Sequence, residues 1–178
     1  TFADPAKRRE RLERQISHSI NAAPLTKIEV SHLGLDKAEI HYPFNATLPQ
    51  RAAIADDGTL TLPVSLYPHD LSGNYAEQSS RSLELFFDHP WRTRNVMRYV
   101  LPKGYVVDDL PKGGVVDGPQ VKFTQKITRT EDGFIVDEDT AIVVRRVSVA
   151  DYARFRKDAL AADALMKRNL KIVKKGGV

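Results

Sequence analysis

The residue pattern predicts a mainly β fold: an antiparallel β-sandwich with an N-terminal helix and a C-terminal helix packed on it. Three observations carry this reading. Between residues 24 and 147 apolar side chains recur mostly at every second position, and turn dipeptides such as Asp57-Gly58 and Asp132-Gly133 break the runs. The flanking stretches "DPAKRRERLERQISHSI" and "SVADYARFRKDALAADALMKRNLKIV" instead place apolar residues three and four apart. Finally, a chain of 178 residues suits one good hydrophobic core. The expected organisation is a lead-in helix over residues 1–23 and a sandwich with its C-terminal helix over 24–178, one domain overall.

Taken in order, Asp4 is placed to cap the first helix, with Pro5 at the first helical position, where its missing N–H costs nothing. Leu12, Ile16 and Ile20 give that helix one narrow apolar stripe. "TKIEVSHL" and "AEIHYPFNA" read as a hairpin around "GLDK", with Pro43 marking an edge or a bend. Leu60, Leu62, Val64 and Leu66 alternate as far as Pro68. "SGNYAEQSS" reads as a polar loop, and "RSLELFFD" and "RNVMRYVLP" as strands joined by "HPWRT", with Trp91 in the connection. The stretch "PKGYVVDDLPKGGVVDGP" is punctuated by Pro and Gly and reads as a loop pressed onto the sandwich. Val121, Phe123, Gln125 and Ile127 then begin a long hairpin that returns through "FIVDEDTAIVVRRV". In the last helix Tyr152, Phe155, Ala159, Ala162 and Met166 form a one-sided stripe, which is expected to be core, with the charges solvated. Asp151 suits the N-cap position, Asp163 and Lys167 can pair one turn apart, and "LKIV" closes as a strand.

Composition excludes several function classes. The 27 basic and 23 acidic residues leave a net charge of only +4, and the basic clusters are interleaved with acids, which argues against a nucleic-acid partner. No run of roughly 18 apolar residues exists, so no direct membrane insertion is expected. The absence of cysteine removes disulfides, thiolate metal sites and a cysteine nucleophile. The chain begins at Thr1, as expected of an excised or processed piece, so an export signal would lie upstream.

Candidate chemistry is sparse. The histidines His18, His32, His41, His69 and His89 contain no close ligand pair, and no metal or cofactor is expected. The acids of "VDEDT" fall on a strand, where alternation splits them between faces instead of wrapping them around a calcium ion, and the stretch reads as a solvated strand start. No strained serine elbow or phosphate loop is present, so no catalytic residue is assigned. A Ser-His-acid arrangement formed only in space stays open as a small-hydrolase alternative. Trp91, Tyr67 and Tyr75 are the candidate partner-contact residues. Together with Tyr42 they are also the aromatics a carbohydrate-binding sandwich would need in an exposed row.

The strings "YVLPKGYVVDDLP", "EDGFIVDEDTAIVVRRVSV" and "ADYARFRKDALAADALMKRNLKIV" carry more information together than apart. Their wording resembles the C-terminal β-sandwich, a domain of unknown function, of bacterial transglutaminase-like proteins. The matching positions are Leu101, Pro102, Gly104, Tyr105, Leu110, Pro111, Tyr152, Phe155, Arg156 and Leu170. The resemblance implies a non-catalytic accessory domain beside a papain-like core, with a protein partner or an adjacent domain of the same chain to bind. That core uses a Cys-His-Asp triad, which a chain without cysteine cannot supply. The resemblance also implies an extracytoplasmic location, in the periplasm or cell envelope.

Overall fold

The computed structural model describes residues 4–20, 27–28, 43–46 and 52–176. The chain divides into two compact units, Thr1–Ala53 and Ile54–Val178. In the first, α1 (Pro5–Ile20) begins as its sequence predicts: Asp4 Oδ1 accepts the Ala6 N–H at 2.9 Å. Ile16 is buried, and Glu10 pairs with Arg14 one turn on. Strands β1 (Lys27–Ile28) and β2 (Phe44–Asn45) pair antiparallel, with Ile28 opposite Phe44, which is the pairing expected of the first hairpin. Its turn at 34–37 lies outside the described residues.

The second unit is built on two four-stranded antiparallel sheets. Strand β3 (Ala53–Ile54) spans the division between the units, and the second unit continues with β4 (Leu60–Pro63), the short helix α2 (Leu71–Tyr75), β5 (Leu85–Phe86) and β6 (Trp91–Val100). Next come β7 (Tyr105–Val107), β8 (Gly114–Asp117), β9 (Val121–Arg129), β10 (Gly133–Ile142) and β11 (Arg146–Val147). Helix α3 (Tyr152–Met166) and strand β12 (Asn169–Lys174) complete it. One sheet has the order β6-β10-β9-β8, the other β3-β4-β12-β7. Strands β5 and β11 form a short separate pair.

The larger sheet follows from its alternation. Val121, Phe123 and Gln125 of β9 register with Ile142, Thr140 and Glu138 of β10, and all six are buried on one face. On the opposite face Arg92, Arg94 and Arg98 meet Asp139, Asp137 and Asp132. These surface pairs agree with the register that the buried face requires, and their own contribution to stability is small. Their hydrogen bonds, supplied by Arg94 and Arg98, hold the Asp137 and Asp132 carboxyls below the usual aspartate range.

Helix α3 covers part of the buried face. Its stripe of Tyr152, Phe155, Ala159, Ala162 and Met166 packs with Val121, Phe123, Ile142, Val147, Leu71 and Phe87. The smaller sheet reaches the larger one through Tyr99, which stacks on Phe134 and donates its hydroxyl to the Val64 carbonyl at 2.8 Å.

Several expectations change. Residues 71–75 are helical instead of a polar loop, because a carboxylate from α3 supplies the bonds that five residues could not supply themselves. The Pro/Gly-rich stretch holds two strands, β7 and β8, since β12 and β9 offer them open edges to pair with. Gly104, at φ +82°, turns the chain into β7. Trp91 is the first residue of β6, not part of the connection. Residues 88–90 form the link between β5 and β6, outside either strand, where Pro90 has no N–H to lose. Asp151 occupies the N-cap position, but its carboxylate takes the Ser148 hydroxyl instead of a helix N–H.

Because Phe155 is fully buried between α3 and the sheet, Phe155→Ala is expected to cost about 3–5 kcal/mol in a urea titration. A loss under about 1 kcal/mol would mean that the stripe is not core.

Candidate functional site

Two buried carboxylates organise the polar interior of the second unit. The first, Glu138, lies mid-strand in β10 and is only 1% exposed. Its Oε2 accepts the Ser65 hydroxyl at 2.8 Å, and its Oε1 accepts Gln125 Nε2 at 2.7 Å. Arg168, just after α3, donates to Gln125 Oε1 and to the Lys112 carbonyl. This chain of bonds joins the segment just after β4 to β9, β10 and the end of α3. Burial pushes the Glu138 carboxyl above the ordinary glutamate value, opposed by the Gln125 and Ser65 hydrogen bonds and by the Arg168 charge.

The second, Asp163, is 3% exposed although it comes from a helix whose charges were expected on the solvent face. It accepts the N–H groups of Leu71 and Ser72 at 2.9 and 2.8 Å and the Ser72 hydroxyl at 2.5 Å. It therefore caps α2 from outside that helix. Lys167, expected to pair with Asp163, instead binds Asp70 Oδ1 at 2.5 Å. Asp70 sits in the left-handed region at φ 48°, a position that the bonds on either side of it hold in place.

His69 lies beside this cap, with its ring 5.2 Å from that of Trp91. Burial lowers its imidazole below the ordinary histidine value, and the Asp163 charge works against that. A serine, a histidine and an acid are thus gathered in one neighbourhood. Their bonding does not form a catalytic relay: the Ser72 hydroxyl donates to the acid, and His69 Nε2 is buried without a hydrogen-bond partner. Among the described residues no group of three or more His, Asp or Glu side chains could hold a metal ion.

Of the candidate contact residues, Tyr75 is half-buried with its ring edge-on to Phe87, and Trp91 is half-buried against the same core cluster. Tyr67 is half-buried in the loop after β4, and Tyr42 lies outside the described residues. Among the residues that carry the sequence resemblance, Tyr152 and Arg156 serve the fold. Tyr152 donates its hydroxyl to the Gln78 carbonyl at 2.8 Å, and Arg156 Nε donates to the Ala76 carbonyl at 3.1 Å. Together they fasten the loop after α2 to α3. The roles of Glu138 and Asp163 were not foreseen. For Glu138 a signal existed, because it shares the inward parity of Phe134 and Val136.

The family model "Domain of Unknown Function with solved-structure structure (DUF3858)" matches residues 58–173. The chain belongs to this family. Its second unit, with the two sheets and α3, contains the whole matched range. The fold is also similar to that of a crystal structure from Parabacteroides distasonis ATCC 8503 described as a "putative protease", with a TM-score of 0.54 and 21% sequence identity. That match covers 66% of this chain and 24% of the other, so the shared fold spans about a quarter of the longer protein. No curated protein matches the chain.

Two outcomes follow from the buried carboxylates. The folded Glu138 carboxyl binds its proton at higher pH than the unfolded one, so its contribution is full below the ordinary value of 4.5 and is lost as pH rises through the folded value. His69 acts with the opposite sign, losing stability as pH falls below 6.5. In paired urea titrations Glu138→Gln should therefore gain on the wild type as pH rises above 4.5, and parallel curves would count against the shift. Asp163→Ala leaves three donors of α2 without their acceptor and should cost about 3 kcal/mol. Tryptophan fluorescence should report a changed environment at Trp91 before global unfolding.

Proposed function

We propose that this chain is a non-catalytic accessory domain that binds a protein partner or an adjacent domain of a longer, exported bacterial protein with a transglutaminase-like core. The observation that carries the reading is that the same fold occupies about a quarter of a longer chain in the Parabacteroides structure. The wording shared with the C-terminal sandwich of transglutaminase-like proteins supports the identity of the parent. A further support is internal: Ser72, Asp163, Glu138, Tyr152 and Arg156, which could have served chemistry, are all engaged in holding elements together. The carbohydrate reading has less support, since Tyr75 and Trp91 pack against the core instead of standing in an exposed row.

The hydrolase reading remains the rival, because Ser72, His69 and Asp163 do lie together. It requires the Ser72 hydroxyl to turn from Asp163 toward His69. The two readings separate in one experiment. The reading frame upstream of Thr1 is determined, any segment encoding a Cys-His-Asp core is expressed separately, and its binding to this chain is measured by calorimetry. The accessory reading expects such a segment and saturable binding, with Ser72→Ala and His69→Ala leaving the parent's turnover unchanged. Ester or peptide hydrolysis by the isolated chain that disappears in Ser72→Ala would replace this reading with the hydrolase.

A further inference from the structure

A groove of about 300 Å³ lies in the second unit between the turn at 101–104, strand β7 and the β9–β10 hairpin, with Lys175 on its remaining side. Its floor is the β7 edge. Among the described residues β7 pairs only with β12, at the end of its sheet. The bonds from Asp108 N–H to the Lys171 carbonyl and from Lys175 N–H to the Gly104 carbonyl fix the alternation of that pairing. The main chain of residues 104, 106 and 108 therefore faces β12, and that of Tyr105 and Val107 faces away from it. The Tyr105 N–H closes the turn onto the Pro102 carbonyl. The Val107 carbonyl takes the long Arg129 contacts, so the outward groups left to an added strand are the Tyr105 carbonyl and the Val107 N–H.

The charges lining the groove select the kind of strand. Lys103, Arg129 and Lys175 line it, and among the described residues none of the three has an ion-pair partner. Of the two acids present, Asp132 is bound by Arg98, leaving Glu131 as the single counter-charge. Arg129 makes only long contacts, with both terminal nitrogens 3.4 Å from the Val107 carbonyl. A guanidinium in that position has its preferred partner, a carboxylate held bidentate at about 2.8 Å, still to gain.

We propose that this groove binds an extended acidic segment of a protein partner. The segment lies along the outer edge of β7, and its carboxylates are taken by Arg129, Lys103 and Lys175. This deepens the accessory reading above and rests on it for the existence of a partner, while the groove itself is tested alone. Main-chain pairing along β7 supplies the direction of the segment, and the three cations supply selectivity for glutamate or aspartate at alternate positions.

The test is a fluorescence-anisotropy titration of the purified chain with a labelled peptide alternating glutamate and valine. A lysine-valine peptide and inorganic phosphate serve as comparisons. The expected result is saturable binding of the acidic peptide, weakened about tenfold by the combined Lys103→Gln, Arg129→Gln and Lys175→Gln changes and by raised salt. Lys157→Gln, exposed on α3, should leave it unchanged. Equal binding by the triple variant or by the lysine peptide overturns the proposal, as does no saturation with any peptide. Phosphate displacing the peptide without competition from unlabelled acidic peptide also overturns it, in favour of a simple anion site. If the upstream segment binds the triple variant as tightly as the wild type, the groove assignment falls and the accessory reading stands. If the acidic peptide binds and the upstream segment does not, the groove stands and the choice of parent falls.

Discussion

The second unit depends on one face of the β6-β10-β9-β8 sheet being covered by two different elements. A sheet with Phe123, Phe134, Val136 and Ile142 on one side cannot leave that side in water. Helix α3 covers part of it and the β4-β12 region another part. Where two covers meet on one sheet a seam is left, and apolar packing alone does not fix how they abut. The Glu138, Gln125, Ser65 and Arg168 bonds lie across that seam. Their directionality is what apolar contacts lack, and buried networks of this kind are tolerable only when each member is satisfied.

The same economy applies at the other end of α3. Helix α2 is too short to stand on its own, and it is held by a carboxylate contributed 92 residues later in the chain. The loop that follows is fixed by Tyr152 and Arg156 through the main-chain carbonyls of Gln78 and Ala76. Positions 152, 155 and 156 thus read as a lineage mark because they fasten a loop to a helix and pack a core, not because they perform a reaction.

Much of this was legible in the sequence, and the failures have a common cause. The β9–β10 hairpin and the α3 stripe were readable because local period and burial agree there. The strands inside "PKGYVVDDLPKGGVVDGP" were hidden because their partners, β9 and β12, lie downstream, and proline and glycine spacing reports only local geometry. Helix α2 was hidden for the same reason, its cap being remote. Asp163 was misread because helical periodicity places an acid at the border of the apolar stripe without saying what faces it. Glu138 was misread because four polar residues in a row look like a solvated strand until parity is given priority over polarity.

The place of β12 bears on how the molecule is made. Strand β12, formed by residues 169–174, lies between β4 and β7 and is bonded to both. Strands β9 and β10 are joined by a tight turn and can zip as soon as they leave the ribosome, whereas β4 and β7 have no common neighbour until residues 169–174 emerge. During synthesis the smaller sheet therefore waits with two open edges while the larger one is already formed. Closure of the smaller sheet is thus a late step for this unit, and a chain stopped before residue 169 would present those edges to chaperones and proteases.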